Sequence, residues 1–260
     1  MKITEIAKIK NKQKISMLTC YDYAFAKIMD KSAIDMLLIG DSAAMTIHGH
    51  PATTHATMEM MLLHTAAVRR GAPSKFIVAD MPFLTFRKTA AEAVACAGAL
   101  INAGANAVKL EGVEGNEQVI KQIIGSGIPV MGHIGLIPQS VNKLGGYKIQ
   151  GVDKKSAADL LKQAKELEKL GCFAVVLECI PAALAASITK AIKIATIGIG
   201  AGPHTDGQVL VLQDILGLDE DVKFKFVRRY ANLQKPILEA FNNFDAEVKK
   251  AKFPSKEESF

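Results

Sequence analysis

Two hundred and sixty residues, 49% hydrophobic and 22% charged, hold enough apolar material for a buried core and too much for a disordered chain. The formal charge of +6 comes from Lys spread from end to end with only five Arg, Trp is absent and aromatics make up 6%, which speaks against nucleic-acid binding and leaves small acidic substrates open. No run of about 18 uninterrupted apolar residues is present, which argues against a membrane-spanning helix. The opening MKITEIAKIKNKQKI lacks the apolar core of a secretory signal, and its Glu5 and missing Arg argue against a mitochondrial presequence. Four cysteines without CxxC spacing read as reduced thiols of a cytoplasmic protein.

In chain order, short apolar runs fall at ISMLTC (15–20), MLLIG (36–40), FIVADM (76–81), AVKLEG (107–112), PVMGHIG (129–135), AVVLECI (174–180), ATIGIG (195–200) and QVLVLQDI (208–215). Each has strand length without strict alternation, the pattern of a strand buried on both faces. Between them, helical periodicity is clearest at Thr57–Arg70, Thr89–Asn102, Gly115–Ile124 and Lys155–Leu170. These helices stop at Gly71, Gly104, Gly127 and Gly171, each expected to take a left-handed conformation that turns the chain into the next strand. Repeated strand–helix order means a parallel sheet, and eight strands favour a closed (β/α)8 TIM-type barrel over an open doubly wound sheet. Beyond residue 217, KFKFVRRYANL and PILEAFNNFDAEVKKA read as extra C-terminal helices. No linker interrupts the chain, so residues 1–260 are expected to form a single catalytic domain.

Polar residues interrupt the apolar runs at one recurring place. Asp41, Asp80, Lys109, Glu111, His133 and Glu178 all lie near the C-terminal ends of the predicted strands. In a parallel barrel those ends share one face, where active sites form. Lys109 and Glu111 are two apart on one strand and point the same way. Asp41, Asp80 and Glu111 fall on three consecutive strands spaced by about 4.8 Å, within reach of one hard cation such as Mg²⁺. The competing reading is that each acid forms a structural salt bridge with a Lys or Arg.

Other signals carry less. GDS (40–42) resembles an esterase nucleophile block with Ser42 as attacker, but the last histidine, His204, sits in a Gly-rich turn. His48, His50 and His55 read as a polar loop rather than a metal cluster, and His64 as a packing residue on an apolar helix. GIGAG (198–202) is followed by Pro203, which breaks a dinucleotide fingerprint; a phosphate site after the seventh strand stays open, with close packing or substrate approach favoured.

The blocks LTCYDYAFA, LLIGDSAAMTIHGH, HTAAVRRGAP, ADMPF, NAGANAVKLEG, GHIGLIPQS, GGYKIQG, VLECIP and IGIGAGPHTDGQVLV, in that order, resemble the ketopantoate hydroxymethyltransferase family. The resemblance runs from about residue 3 to the closing FPSKEESF. It implies a (β/α)8 barrel that uses Mg²⁺ and 5,10-methylenetetrahydrofolate to hydroxymethylate 3-methyl-2-oxobutanoate in pantothenate biosynthesis. It further implies a large homo-oligomer, commonly a decamer. Carried over block by block, it makes Asp41 and Asp80 metal ligands that also touch substrate, with Glu111 completing the site directly or through water. It makes Lys109, Ser42 and His133 substrate contacts and Glu178 the proton-abstracting base. The chain departs from the family's usual pattern at Ala44, where Gly is more usual, at His48, where Gln is common, and at Glu258, where His is frequent. None of these removes a group the chemistry needs.

That chemistry accounts for the constellation. Forming a C–C bond beside a ketone requires loss of a weakly acidic proton, stabilisation of the resulting enolate by a Lewis acid, and a base to take the proton. The competing enzyme is a related Mg²⁺-dependent 2-oxo-acid lyase or aldolase that needs no folate. The non-enzymatic alternative is a basic scaffold or nucleic-acid-binding protein.

Overall fold

Each apolar run forms a strand in the computed structural model, which describes residues 2–10, 12–221 and 223–260. The strands are β1 (Ile15–Thr19), β2 (Met36–Ile39), β3 (Phe76–Asp80), β4 (Ala107–Glu111), β5 (Val130–Gly135), β6 (Ala174–Glu178), β7 (Ala195–Ile199) and β8 (Gly207–Leu210). All pair in parallel in sequence order, and β8 closes on β1. The result is the expected (β/α)8 barrel.

Helices separate successive strands everywhere but between β7 and β8, and several of their ends follow from side-chain chemistry. They are α1 (Ile3–Ile9), α2 (Tyr23–Asp30), α3 (Ala43–Thr46), α4 (Met58–Gly71), α5 (Ala90–Asn102), α6 (Glu117–Gly125), α7 (Val141–Leu144), α8 (Lys154–Leu170), α9 (Ala182–Ala191), α10 (Leu212–Leu216) and α11 (Gln234–Lys249). Asp22, Thr57, Thr89 and Asp153 cap α2, α4, α5 and α8 by accepting from backbone N–H groups of the first turn. Thr89 and Glu92 form a reciprocal capping box. Leu160, Ala164 and Leu167 make the buried stripe of α8 at spacings of four and three.

Three of the four helix-ending glycines, Gly104, Gly127 and Gly171, have positive φ. Gly71 does not. It is the last residue of α4, and a Cβ there would come within 2.6 Å of Ala26 Cβ and of the Tyr23 carbonyl, so its role is close packing of α4 on α2.

Two further expectations give way. The eighth strand ends at Leu210, five residues early, because residues 212–216 are helical. Continuous apolar sequence does not distinguish a strand from the helix that follows it. KFKFVRRYANL (223–233) is not helical, whereas the next segment forms α11.

Two compact units make up the chain, Met1–Leu210 and Val211–Phe260. The first holds the barrel, whose interior stacks Ile15, Met17, Met36, Leu38, Phe76, Val78, Ala107, Met131, Ala174, Val176, Ala195, Ile197 and Val209, joined by Ile6 of α1. Lys10, just past α1, pairs its ammonium with Asp206 at 2.6 Å, and the same carboxylate oxygen accepts from the backbone N–H and the hydroxyl of Thr196. The second unit holds α10 and α11, the latter without a buried residue. Among the described residues, no helix is long and apolar enough to cross a membrane.

Candidate active site

The alternation that fills the barrel also arms its mouth. Interior positions run Phe76, Val78, Asp80 along β3; Ala107, Lys109, Glu111 along β4; Met131, His133 along β5; and Ala174, Val176, Glu178 along β6. Each strand starts apolar and ends polar. Register sets Asp80 beside Lys109, Glu111 beside His133, and Glu178 beside Gly135. Asp41 reaches the same place differently. It lies beyond β2, after Gly40, and its backbone N–H donates to Asp80 Oδ2 at 3.0 Å.

Lys109 is the hub. Its Nζ lies 3.0 Å from Asp80 Oδ1 and 3.1 Å from His133 Nδ1. An ammonium only donates, so His133 Nδ1 is the acceptor and the neutral ring carries its proton on Nε2. That Nε2 lies 3.2 Å from Glu178 Oε2 but makes no hydrogen bond in this arrangement. Glu178 keeps 16% of its side chain exposed, against 3% for His133. Asp41, Asp80, Lys109 and Glu111 are buried. Ser42 is half-buried and shares a 2.7 Å hydrogen bond with the Tyr21 hydroxyl, so its partner is a phenol, not the histidine base an esterase needs.

Burial and crowding set the protonation. Burial works against the Lys109 charge, but Asp80, Glu111 and Asp41 outweigh it and hold the ammonium above its ordinary value. Burial, and then Lys109 itself, hold His133 well below the usual histidine range and therefore neutral. Burial pushes Glu178 up to about 7, with Lys109 opposing. Burial and the neighbouring Asp80 push Asp41 up to about 7, and burial with Asp41 pushes Glu111 well above its ordinary value. Four carboxylates thus face one buried cation.

This surplus of hard oxygen donors suits a divalent cation. The buried Asp80 Oδ1 makes no hydrogen bond despite the nearby ammonium. The alternative of structural pairing is met in part, since Asp80 does find Lys109. Among the described residues, no three His, Cys, Asp or Glu side chains converge tightly enough to enclose a metal ion. Mg²⁺ does not require such a cage: it takes one or two carboxylates and completes its shell with waters and substrate oxygens.

Two residues without a role in the sequence reading belong here. Gln139 is buried and hydrogen-bonded to Asp41 and Glu111. Tyr147, between α7 and α8, has its phenol pushed up by burial and then by Glu178, Asp41 and Glu111. Only its block, GGYKIQG, was visible in the sequence. His64, expected to be a packing residue, donates through Nδ1 to the Tyr21 carbonyl at 2.6 Å and meets His48 Nε2 at 2.9 Å.

Gly135 fits the end of β6 beside it. Its φ is +97°, and a Cβ there would lie 2.2 Å from the Glu178 carbonyl oxygen. The residue after the strand, Cys179, itself takes a positive φ of 47°. The backbone around Glu178 is closely held.

The family model described as ketopantoate hydroxymethyltransferase matches residues 1–256. The chain belongs to the ketopantoate hydroxymethyltransferase family. Within it, a 3-methyl-2-oxobutanoate hydroxymethyltransferase of Legionella pneumophila (strain Paris) is 51% identical over 262 residues, covering 100% of both chains. The enzyme of the same name from Bdellovibrio bacteriovorus is 50% identical over 253 residues, covering 97% of this chain and 96% of its own. Among solved structures, a phosphonopyruvate hydrolase complexed with oxalate and Mg²⁺ superposes with a TM-score of 0.62 over 99% of this chain and 93% of its own. At 12% identity that likeness shows the shared fold of this ketopantoate hydroxymethyltransferase family member and nothing finer.

Proposed function

We propose that the protein is a 3-methyl-2-oxobutanoate hydroxymethyltransferase, transferring a one-carbon unit from 5,10-methylenetetrahydrofolate to 3-methyl-2-oxobutanoate to give ketopantoate for pantothenate synthesis. The observation that carries this reading is the row Asp80–Lys109–His133–Glu178, which sets a permanent cation and a base poised near neutrality on one barrel mouth. Relatives about half identical over their full length carry that enzyme name.

Asp41 and Asp80 would hold Mg²⁺, with Glu111 completing the site directly or through water. When bound, Mg²⁺ supplies a Lewis acid to the keto and carboxylate oxygens of a 2-oxo acid. Lys109 offers its ammonium to the substrate carboxylate, and Ser42 its hydroxyl to the keto acid. Glu178 accepts the C3 proton at its carboxylate, its raised pKa matching a base that works near pH 7. The Nε2–H of His133 faces the same space and contacts the reacting end of the substrate. Burial of Lys109 and His133 keeps bulk water from the forming bond.

Every residue given a role lies in the Met1–Leu210 unit, and we read the chain as one barrel-based catalytic domain. The four free cysteines support a reducing, cytoplasmic setting. Exposed Phe224, Tyr230, Phe241 and Phe244 support assembly into a homo-oligomer.

Omitting one component at a time from the assay tests the reading. Ketopantoate should form only with substrate, Mg²⁺ and the folate together. C–C cleavage of a 2-oxo acid without folate would instead favour the lyase or aldolase alternative.

A further inference from the structure

Gln139 connects parts of the site that are far apart in sequence. It sits in the single 3-10 turn Pro138–Ser140 that follows β5 and is 6% exposed. Its side-chain amide donates to Asp41 Oδ2 at 2.8 Å and to the Met81 carbonyl at 3.1 Å. Its backbone N–H donates to Glu111 Oε2 at 2.9 Å. One residue from the β5 loop thereby ties together the ends of β2, β3 and β4. Both amide hydrogens are used, which fixes the rotamer and the orientation of the amide.

The identity of the donor matters as much as its position. Lys109, the buried cation, faces Asp80. Had a second Lys or Arg held Asp41 and Glu111, it would have neutralised them and competed with any incoming cation. A neutral amide and a backbone N–H orient a carboxyl group without adding a competing positive charge, and here each bonds one oxygen, Asp41 Oδ2 and Glu111 Oε2.

We propose that Gln139 is a positioning residue of the cation site, presetting Asp41 through its amide and Glu111 through its backbone N–H so that a divalent cation meets oriented oxygen donors with no second ammonium or guanidinium to displace. This rests on the reading that Asp41 and Asp80 hold such a cation. Partners of metal ligands of this kind change metal affinity by roughly 10- to 100-fold when removed.

The test is Mn²⁺ binding to the full-length, metal-free protein without substrate, followed by electron paramagnetic resonance. Gln139→Met keeps the side chain's length and the backbone N–H but removes both amide donors. Gln139→Asn keeps an amide that no longer reaches, and carries the test if the first variant does not fold. Circular dichroism and melting verify the fold of each variant. The expected result is a Mn²⁺ Kd about 10- to 100-fold weaker in both, with the Mg²⁺ concentration for half-maximal activity rising by more than kcat falls. A merely structural role would lower Tm and leave the Kd of the folded fraction unchanged, and that result overturns the proposal. Asp80→Asn separates the two layers: wild-type protein without Asp80-dependent Mn²⁺ binding overturns the cation reading itself.

Discussion

Replacing Glu178 by Gln preserves the side chain's shape and its seat beside His133 Nε2, 3.2 Å away, while removing the proton acceptor. The native carboxyl is pushed up to about 7 by burial, so it is about half ionised at neutral pH and accepts a proton from a weak carbon acid far better than an ordinary surface carboxylate. General-base catalysis of this kind contributes about 10²- to 10⁴-fold, or roughly 3–5 kcal/mol of barrier at about 1.4 kcal/mol per decade. The assay is exchange of the C3 proton of 3-methyl-2-oxobutanoate in deuterated buffer with Mg²⁺ and no folate, followed by NMR. Glu178→Gln should slow exchange by about 10²-fold or more. The pH dependence has a definite sign: a base works when deprotonated, so the wild-type rate falls as pH drops through about 7. Between about pH 6 and about pH 8 the ionised fraction, and with it the rate, rises about tenfold. Exchange in Glu178→Gln within about twofold of wild type, with the same pH profile, would refute the assignment of the base.

Three further outcomes follow from the same geometry. Lys109→Met leaves buried Asp80 without its cation and should cost the metal-free protein about 3–5 kcal/mol in urea unfolding; it should also raise KM for the 2-oxo acid, and a loss under about 1 kcal/mol with unchanged KM contradicts both roles. Gly135→Ala forces a Cβ to within 2.2 Å of the Glu178 carbonyl from a φ of +97°, so kcat should drop by about 10²-fold if the base shifts by about 1 Å; wild-type kcat in a folded Gly135→Ala protein contradicts the tight seating. Asp206→Asn breaks the buried pair with Lys10, away from the residues assigned to catalysis, and should cost about 3 kcal/mol of stability with kcat and KM unchanged in steady-state assays; an equal effect on kcat contradicts a purely structural role.

Strand-borne residues were readable from the sequence because a two-residue period has only two outcomes. Lys109 and Glu111 had to share a face, but that this face points into the barrel comes from the structure, since Val108 and Leu110 on the other face are apolar and buried as well. Asp41 was readable as a site residue but not in its route, since it stands past the last residue of β2 and is seated by a backbone bond to Asp80. Gln139 was not readable. A neutral amide in a loop has no charge to flag its burial, and its partners Asp41, Met81 and Glu111 lie 98, 58 and 28 residues away. Gly71 departs from the expected left-handed turn for a related reason: its sequence position matches a helix end, while its need for no Cβ comes from α2, more than forty residues earlier. Local pattern carries conformation, and contact across the fold carries the rest.

Transfer of a labelled carbon tests the central claim most directly. Wild-type protein incubated with 3-methyl-2-oxobutanoate, Mg²⁺ and 5,10-methylenetetrahydrofolate carrying ¹³C in its methylene group should yield ketopantoate with a single ¹³C at the new hydroxymethyl carbon, and Glu178→Gln should yield at least about 10²-fold less in the same time. Absence of product from folded wild-type protein, or ketopantoate without the label, contradicts the account.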